Sequence, residues 1–374
     1  MRARFFVQTS VKCVALIALT LPGGGCHLSS PSVSAPSARV DTLWYATSRL
    51  RQSERLAFRF ADSLEFGYYR ISSKTKADLM RGGLDMRVID STVVTRAEFL
   101  QSVSAPSKDS NDVVVLSVHG YATSHTKAIR DAGEQYLRSR TKGRWVAFSW
   151  PSNGHGLNLL TQPGHMFMTG AYRADSAVAV KSKPAFAGLL LALHNAVGGQ
   201  RLVLTAHSLG AQLAAETLAG DSTVRSALAR DPVRAIGFFE PDIATQRFDS
   251  YIVPQIRALT KRLVLYASRN DNMLRFSTWV NRNDRAGLLP SDSLPVAGVE
   301  MIDVTNGITS EDWIRRHFGT HHAMKRETSA LRDFFDIVVA RKPANCRVKA
   351  GSAEASADGV WTLLPKLGDL SRCQ

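Results

Sequence analysis

Cysteine is scarce in this chain: four in 374 residues, with Cys13 and Cys26 near the start and Cys346 and Cys373 near the end. No H-E-x-x-H run occurs, and no cysteine accompanies the histidine cluster His317-Phe318-Gly319-Thr320-His321-His322. Zinc chemistry is therefore not the expected reading, the more so because adjacent histidines do not easily point into one site. Lys and Arg outnumber Asp and Glu by 47 to 32, a net charge of +15. They are scattered, however, and the lack of a long basic block or a binding motif argues against nucleic acid as partner. No internal repeat is present. What the chain does have is 44% hydrophobic content over its 374 residues, enough to bury a full core.

The start reads as an export leader. Arg2, Arg4 and Lys12 precede the apolar Cys13-Val14-Ala15-Leu16-Ile17-Ala18-Leu19-Thr20-Leu21, a run too short to span a bilayer as a stable helix. Gly23-Gly24-Gly25-Cys26 resembles the cleavage box of bacterial lipoproteins, although Gly23 stands where that box carries an aliphatic residue. Cys26 is accordingly expected to carry lipid. The Ser-, Pro- and Ala-rich stretch from His27 to Ala38 reads as a flexible tether. Loss of the leader would leave a charge of about +12, suited to anionic surfaces such as a cell envelope. It would also leave Cys346 and Cys373 to pair in an oxidising compartment, with two free thiols as the alternative.

Asp41–Arg49, Ser63–Ile71 and Asp85–Asp90 read as strands, expected to add antiparallel edges to a larger sheet. The stretch from Gln101 to Asn111 is polar and loop-like. From Asp112 onward, short β-branched runs follow one another: Val113–Val118, Trp145–Trp150, Leu202–Thr205, Ala235–Phe239, Leu263–Ala267 and Val299–Val304. Helix-period stretches separate most of them, at Thr126–Arg140, Ala174–Val197, Ala211–Ala219 and, interrupted by Pro254, Thr245–Leu259. Strands buried on both faces and joined by helical crossovers predict an α/β fold with a mostly parallel sheet wrapped by helices. Thr328–Ala340 reads as a last helix, and Lys342–Gln374 as a tail without periodicity.

In such a sheet, chemistry sits beyond the carboxyl ends of the strands. One apolar run ends in Ala206-His207-Ser208-Leu209-Gly210 and passes at once into an alanine-rich helical pattern. That is the outline of a nucleophile elbow, G-x-S-x-G, with Ala206 in place of the first glycine. The structural alternative is a serine that merely caps a helix. Ser208 as nucleophile needs a histidine to take its proton and an acid to fix that histidine's tautomer. Asp271, in Ser268-Arg269-Asn270-Asp271-Asn272, is the expected acid, and Asp242, after the intervening strand, is its rival. Either aspartate could instead be a turn or cap residue. His321 or His322 is the expected base. Backbone N–H groups of Leu209 and of Tyr121, after His119-Gly120, are the candidates for an oxyanion hole.

These motifs together resemble the bacterial α/β-hydrolases catalogued as domain of unknown function 900. The residues that carry the resemblance are Tyr45-Ala46-Thr47-Ser48-Arg49, Val118-His119-Gly120-Tyr121, Ser149-Trp150-Pro151-Ser152, His207-Ser208-Leu209-Gly210, Pro241-Asp242, Tyr266-Ala267-Ser268-Arg269-Asn270-Asp271 and Ile302-Asp303. The resemblance runs from about Asp41 to Ala340 and implies a hydrolase fold with a serine triad. It also implies a base counted back from Leu331-Arg332-Asp333, which lands on His321; His322 stays open because Ala323-Met324 departs from the family's usual step.

The chain is thus divided into a leader over 1–25, a tether over 26–40, an α/β-hydrolase domain over 41–343 and a C-terminal tail over 344–374. The expected function is an exported serine hydrolase of the cell envelope. It is expected to act on a small-molecule or lipid ester through Ser208, His321 and Asp271, with no metal or organic cofactor required, and to be anchored to the membrane through Cys26. Lipase, thioesterase and amidase activities are rivals within that class. A catalytically silent envelope binding or scaffold protein on the same fold is the alternative from another class.

Overall fold

The computed structural model describes residues 40–52, 55–73, 86–106, 112–152, 165–290, 295–307, 321, 328–356, 358–365 and 368–373. The chain divides into two units, Met1–Ser37 and Ala38–Gln374. All described residues belong to the second, so the leader, Cys26 and nearly all of the tether lie outside them.

Its strands are β1 (Val40–Gln52), β2 (Arg55–Ser73), β3 (Met86–Val94), β4 (Val114–Val118), β5 (Arg144–Ser149), β6 (Leu202–His207), β7 (Ala235–Phe239), β8 (Leu263–Ala267), β9 (Glu300–Asp303), β10 (Ala353–Ala355) and β11 (Val360–Leu363). Among the described residues they form one sheet in the order β10-β11-β9-β8-β7-β6-β4-β5-β1-β2-β3. From β11 through β1 every neighbouring pair is parallel. The β2 and β3 edge is antiparallel, as expected, while β1 itself runs parallel to β5 over Leu43–Thr47.

The α-helices of six residues or more among the described residues are α1 (Arg96–Ser104), α2 (His125–Ser139), α3 (His165–Lys181), α4 (Lys183–Val197), α5 (Leu209–Gly220), α6 (Ser222–Arg230), α7 (Asn272–Asn281) and α8 (Thr328–Asp333). Because side chains alternate along a strand, the central strands feed two cores. Leu116, Leu204, Phe238 and Leu265 face one side, under Leu189 and Leu193 of α4 and Leu213 and Leu218 of α5. Val115, Val203, Val264 and Tyr266 face the other, under Ile129 of α2, Leu331 of α8 and Phe334. Burial on both faces is why these strands read as unbroken apolar runs rather than as alternating patterns.

Three readings change. Ala174–Val197 was expected as one helix, but the chain breaks at Ser182, because Pro184 in the first turn of α4 has no N–H to continue the α3 ladder. Part of the expected loop 101–111 belongs to α1, which opens on a capping box between Thr95 and Glu98. The segment set apart as a tail, 344–374, adds β10 and β11 to the sheet.

These two strands, of three and four residues, are too short to show periodicity. Side chains hold that edge in place. Arg347, fully buried, donates from Nε and NH2 to the two Asp333 carboxylate oxygens at 2.7 and 3.0 Å, and from NH1 to Glu300 Oε2 at 2.7 Å. Tyr266 O–H donates to the same Asp333 carboxylate at 2.8 Å. Cys346, directly before Arg347, is bridged to Cys373.

Arg347→Ala leaves Asp333 buried without its cation. It is expected to lower the unfolding free energy by about 3–5 kcal/mol, read as an earlier midpoint in urea unfolding.

Candidate active site

The passage from β6 to α5 takes a single residue. Ser208 adopts φ 55° and ψ −125°, a backbone region costly for a residue with a Cβ. It is held there from both sides. Its N–H donates to Phe239 C=O at 3.0 Å, and its own C=O accepts from the N–H groups of Ala211 at 2.9 Å and Asp242 at 3.2 Å. The Ser208 side chain makes no capping bond to α5, so the hydroxyl is not spent on the helix. Gly210 has to be glycine, since a Cβ there would lie 2.1 Å from His119 C=O. Ala206 faces no such limit; it is buried between Val118 and Phe238 on the neighbouring strands, where a methyl group adds packing.

Asp271 and His321 complete a line of hydrogen bonds. Asp271 caps α7 by accepting from Leu274 N–H at 2.9 Å with one oxygen, and its other oxygen lies 2.6 Å from His321 Nδ1. His321 Nε2 lies 2.7 Å from Ser208 Oγ. A carboxylate only accepts, so Nδ1 carries the proton toward Asp271, and Nε2 is left to accept from the Ser208 hydroxyl. Asp271 is fully buried, and its cap bond fixes the carboxylate before the histidine arrives. His317 and His322 lie outside the described residues.

Asp242 is committed elsewhere. It accepts from Tyr172 O–H at 2.8 Å and Ser277 Oγ at 2.5 Å, and pairs with Arg285 at 3.3 Å. Burial, reinforced by Asp242, pushes the Tyr172 hydroxyl up to about 12, so it remains a donor. Asp242 therefore ties α3 to α7 beneath the site.

Leu209 follows Ser208 in the chain, and Gly120, before Tyr121, approaches the Ser208 Cβ closely. Leu209 opens α5, where helix geometry leaves N–H groups without an intrahelical partner. Tyr121 lies in the loop after β4, and three groups fix that loop. Arg49, fully buried, donates to Ser149 Oγ at 2.9 Å, Ser152 C=O at 3.2 Å and Thr123 C=O at 2.7 Å. Asp175 of α3 accepts from Ala122 N–H at 3.1 Å and from Ser152 Oγ at 2.6 Å. Trp150 donates to His119 C=O at 2.8 Å and stacks on its ring. Burial lowers the Arg49 guanidinium to about 9, and Asp175 opposes that shift as its counter-charge.

In the sequence Arg49 stands out only within the motif Tyr45-Ala46-Thr47-Ser48-Arg49, and Asp175 carries no motif. The available signal for Asp175 was a lone acid at the head of the long apolar stretch Ala174–Val197.

Among the described residues, one group could offer three metal ligands: His207, Glu240 and His321, whose ligand atoms lie within 4.8 Å of one another. Asp271 and Ser208 already engage both ring nitrogens of His321, which leaves His207 and Glu240, too few for a structural metal.

A helix-wrapped parallel sheet, with a strained serine turn at the end of a central strand, is the architecture of an α/β-hydrolase. The chain belongs to the family described as alpha/beta hydrolase of unknown function (DUF900), whose model matches residues 95–326. No curated protein matches it by sequence. Similar solved structures include a predicted CIB-like hydrolase from Thermoplasma acidophilum, at 12% identity over 73% of this chain and 93% of that one, with TM-score 0.31. A cold-adapted esterase from an Arctic intertidal metagenomic library is similar at 11% identity over 71% and 84%, TM-score 0.33. Esterase 2 of Thermogutta terrifontis, phosphoramylated by tabun, is similar at 12% over 69% and 83%, TM-score 0.29. The family match sets the class.

Asp175→Ala removes the carboxylate that holds Ala122 and Ser152 and neutralises Arg49. The expected result is a loss of about 3 kcal/mol in stability, measured by thermal unfolding; unchanged stability would show that the loop is fixed by other groups.

Proposed function

We propose that this α/β-hydrolase is an exported serine hydrolase that cleaves carboxylic esters, with Ser208 as nucleophile, His321 as base and acid, and Asp271 orienting the histidine. The observation that carries the reading is the hydrogen-bonded line from Ser208 Oγ to His321 to Asp271, ending on a serine whose strained backbone turns its hydroxyl away from the helix.

The chemistry follows from that line. As Ser208 Oγ attacks the ester carbonyl carbon, its proton passes to His321 Nε2. Asp271 stabilises the resulting imidazolium and keeps the ring from turning. The carbonyl oxygen becomes an oxyanion facing the N–H groups of Leu209 and Tyr121, which need no reorientation to receive it. Collapse expels the alkoxide, which takes the proton from Nε2, and leaves an acyl ester on Ser208. Water then gives up a proton to the same nitrogen and attacks the acyl carbon, releasing the carboxylic acid and the free serine. No step calls for a metal or organic cofactor.

The acid assignment separates this account from its nearest rival. Asp271→Asn is expected to reduce kcat on a chromogenic acyl ester by roughly 10³- to 10⁴-fold, because it favours the wrong tautomer. Asp242→Asn, whose side chain serves packing between helices, is expected to lose far less; the reverse ranking would reassign the triad.

Export rests on the leader, whose basic start, short apolar run and Gly23-Gly24-Gly25-Cys26 box support a lipid anchor on Cys26 at the cell envelope. Cys26→Ala is expected to move the protein from the membrane to the soluble fraction on cell fractionation, and unchanged attachment would contradict the anchor.

A further inference from the structure

A second acid–imidazole pair lies behind the Ser208–His321–Asp271 line. His207 immediately precedes the elbow serine, and Glu240 immediately follows β7, the next strand of the sheet. Both are buried, at 2% and 0% exposure. His207 Nε2 lies 3.4 Å from Glu240 Oε2, at the long end of the hydrogen-bond range, where charge contributes more than bond geometry. The His207 ring rests against the His321 ring with centroids 4.7 Å apart. A ligand-capable atom of Glu240 also lies within 4.8 Å of one on His321. Glu240 is held in the left-handed region at φ 44°, and its N–H donates to Tyr266 C=O at 2.7 Å, so strained backbone fixes the carboxylate's starting point.

A carboxylate at full burial is costly, and so is a non-glycine residue at positive φ. Both costs fall on one residue, beside the ring that gains charge during the proposed reaction. We propose that Glu240 is a positioning residue of the hydrolytic site: His207, neutral, donates its Nε2–H to the Glu240 carboxylate and holds that negative charge beside His321, where it supplements Asp271 when the imidazolium forms. This rests on the serine-hydrolase reading.

His207 has to stay neutral in this arrangement, because a proton on it would set a second cation against the His321 ring. In the buried site the Glu240 charge is poorly screened, so it stabilises the imidazolium without touching it. The titratable groups that meet or approach His321 include Asp271, Glu240 and His207. His119 lines a small cavity with His207 and Asp131, Asp131 pairs with Lys127, and Asp242 is taken up by Arg285, Tyr172 and Ser277.

Glu240→Gln keeps the shape and removes the charge. It is expected to lower kcat on a chromogenic acyl ester about 10- to 100-fold, the range that loss of an outer partner costs at metal-bound histidines, with KM little changed. An imidazolium with less nearby negative charge gives up its proton more easily, so the acidic limb of the kcat/KM profile moves to lower pH. Glu240→Asp, which retains the charge, is expected to hold that limb near its wild-type position. A merely structural role would lower stability and leave the limb where it was, and an unmoved limb in an active Glu240→Gln overturns the proposal alone.

Should Glu240→Gln fail to fold, side-chain nitrogen NMR on the full wild-type chain decides. His207 is expected to be singly protonated, on Nε2, at the pH of the activity assay; a doubly protonated ring or a proton on Nδ1 overturns the proposal. A wild type that hydrolyses no ester removes the serine-hydrolase reading, and this proposal falls with it.

Discussion

The structure depends on one close approach. Where β6 turns into α5, the first turn of the helix comes so near the end of β4 that a Cβ on Gly210 would sit 2.1 Å from His119 C=O. Ser208 reaches that position only through a positive φ, and bonds to the neighbouring strand and to the segment after it, through Phe239 C=O and Asp242 N–H, hold it there. Strain of this kind persists only when surrounding contacts over-determine it. Here those contacts come from the parallel sheet, whose strands are buried on both faces.

The same approach places the loop after β4 beside the serine. That loop has little regular structure of its own, and its shape is imposed by buried polar groups brought from far along the chain. Arg49 arrives from β1, Ser149 and Ser152 from the end of β5, and Asp175 from α3. Buried charges are tolerated because each is paired or hydrogen-bonded. Through Arg49, β1 contributes to the site from the N-terminal part of the sheet. The far edge is fixed by similar means, through Arg347, Asp333 and Glu300.

The central strands were legible in the sequence because burial on both faces leaves unbroken apolar runs such as Val113–Val118 and Leu263–Ala267. Ser208 was legible because a small-residue turn between a strand and an alanine-rich helix has few other uses. Less visible were elements whose partners are distant in sequence. β10 and β11 carry no pattern of their own and depend on Arg347 and on pairing with β9. α1 buries only Phe99 and Val103, so its last residues, from Gln101 on, read as part of a polar loop. Asp271 and Asp242 stood as rivals because both follow strands; what separates them is the group each carboxylate meets, His321 for one and Tyr172, Ser277 and Arg285 for the other.

The central claim is that Ser208 is a nucleophile rather than a serine at a strained turn. The direct measurement is intact-protein and peptide mass spectrometry after treatment with a fluorophosphonate. The account predicts a single phosphonyl adduct on the peptide containing Ser208, abolished in Ser208→Ala and in protein unfolded before treatment. Folded wild-type protein that acquires no adduct, or acquires it on a different serine, would contradict it.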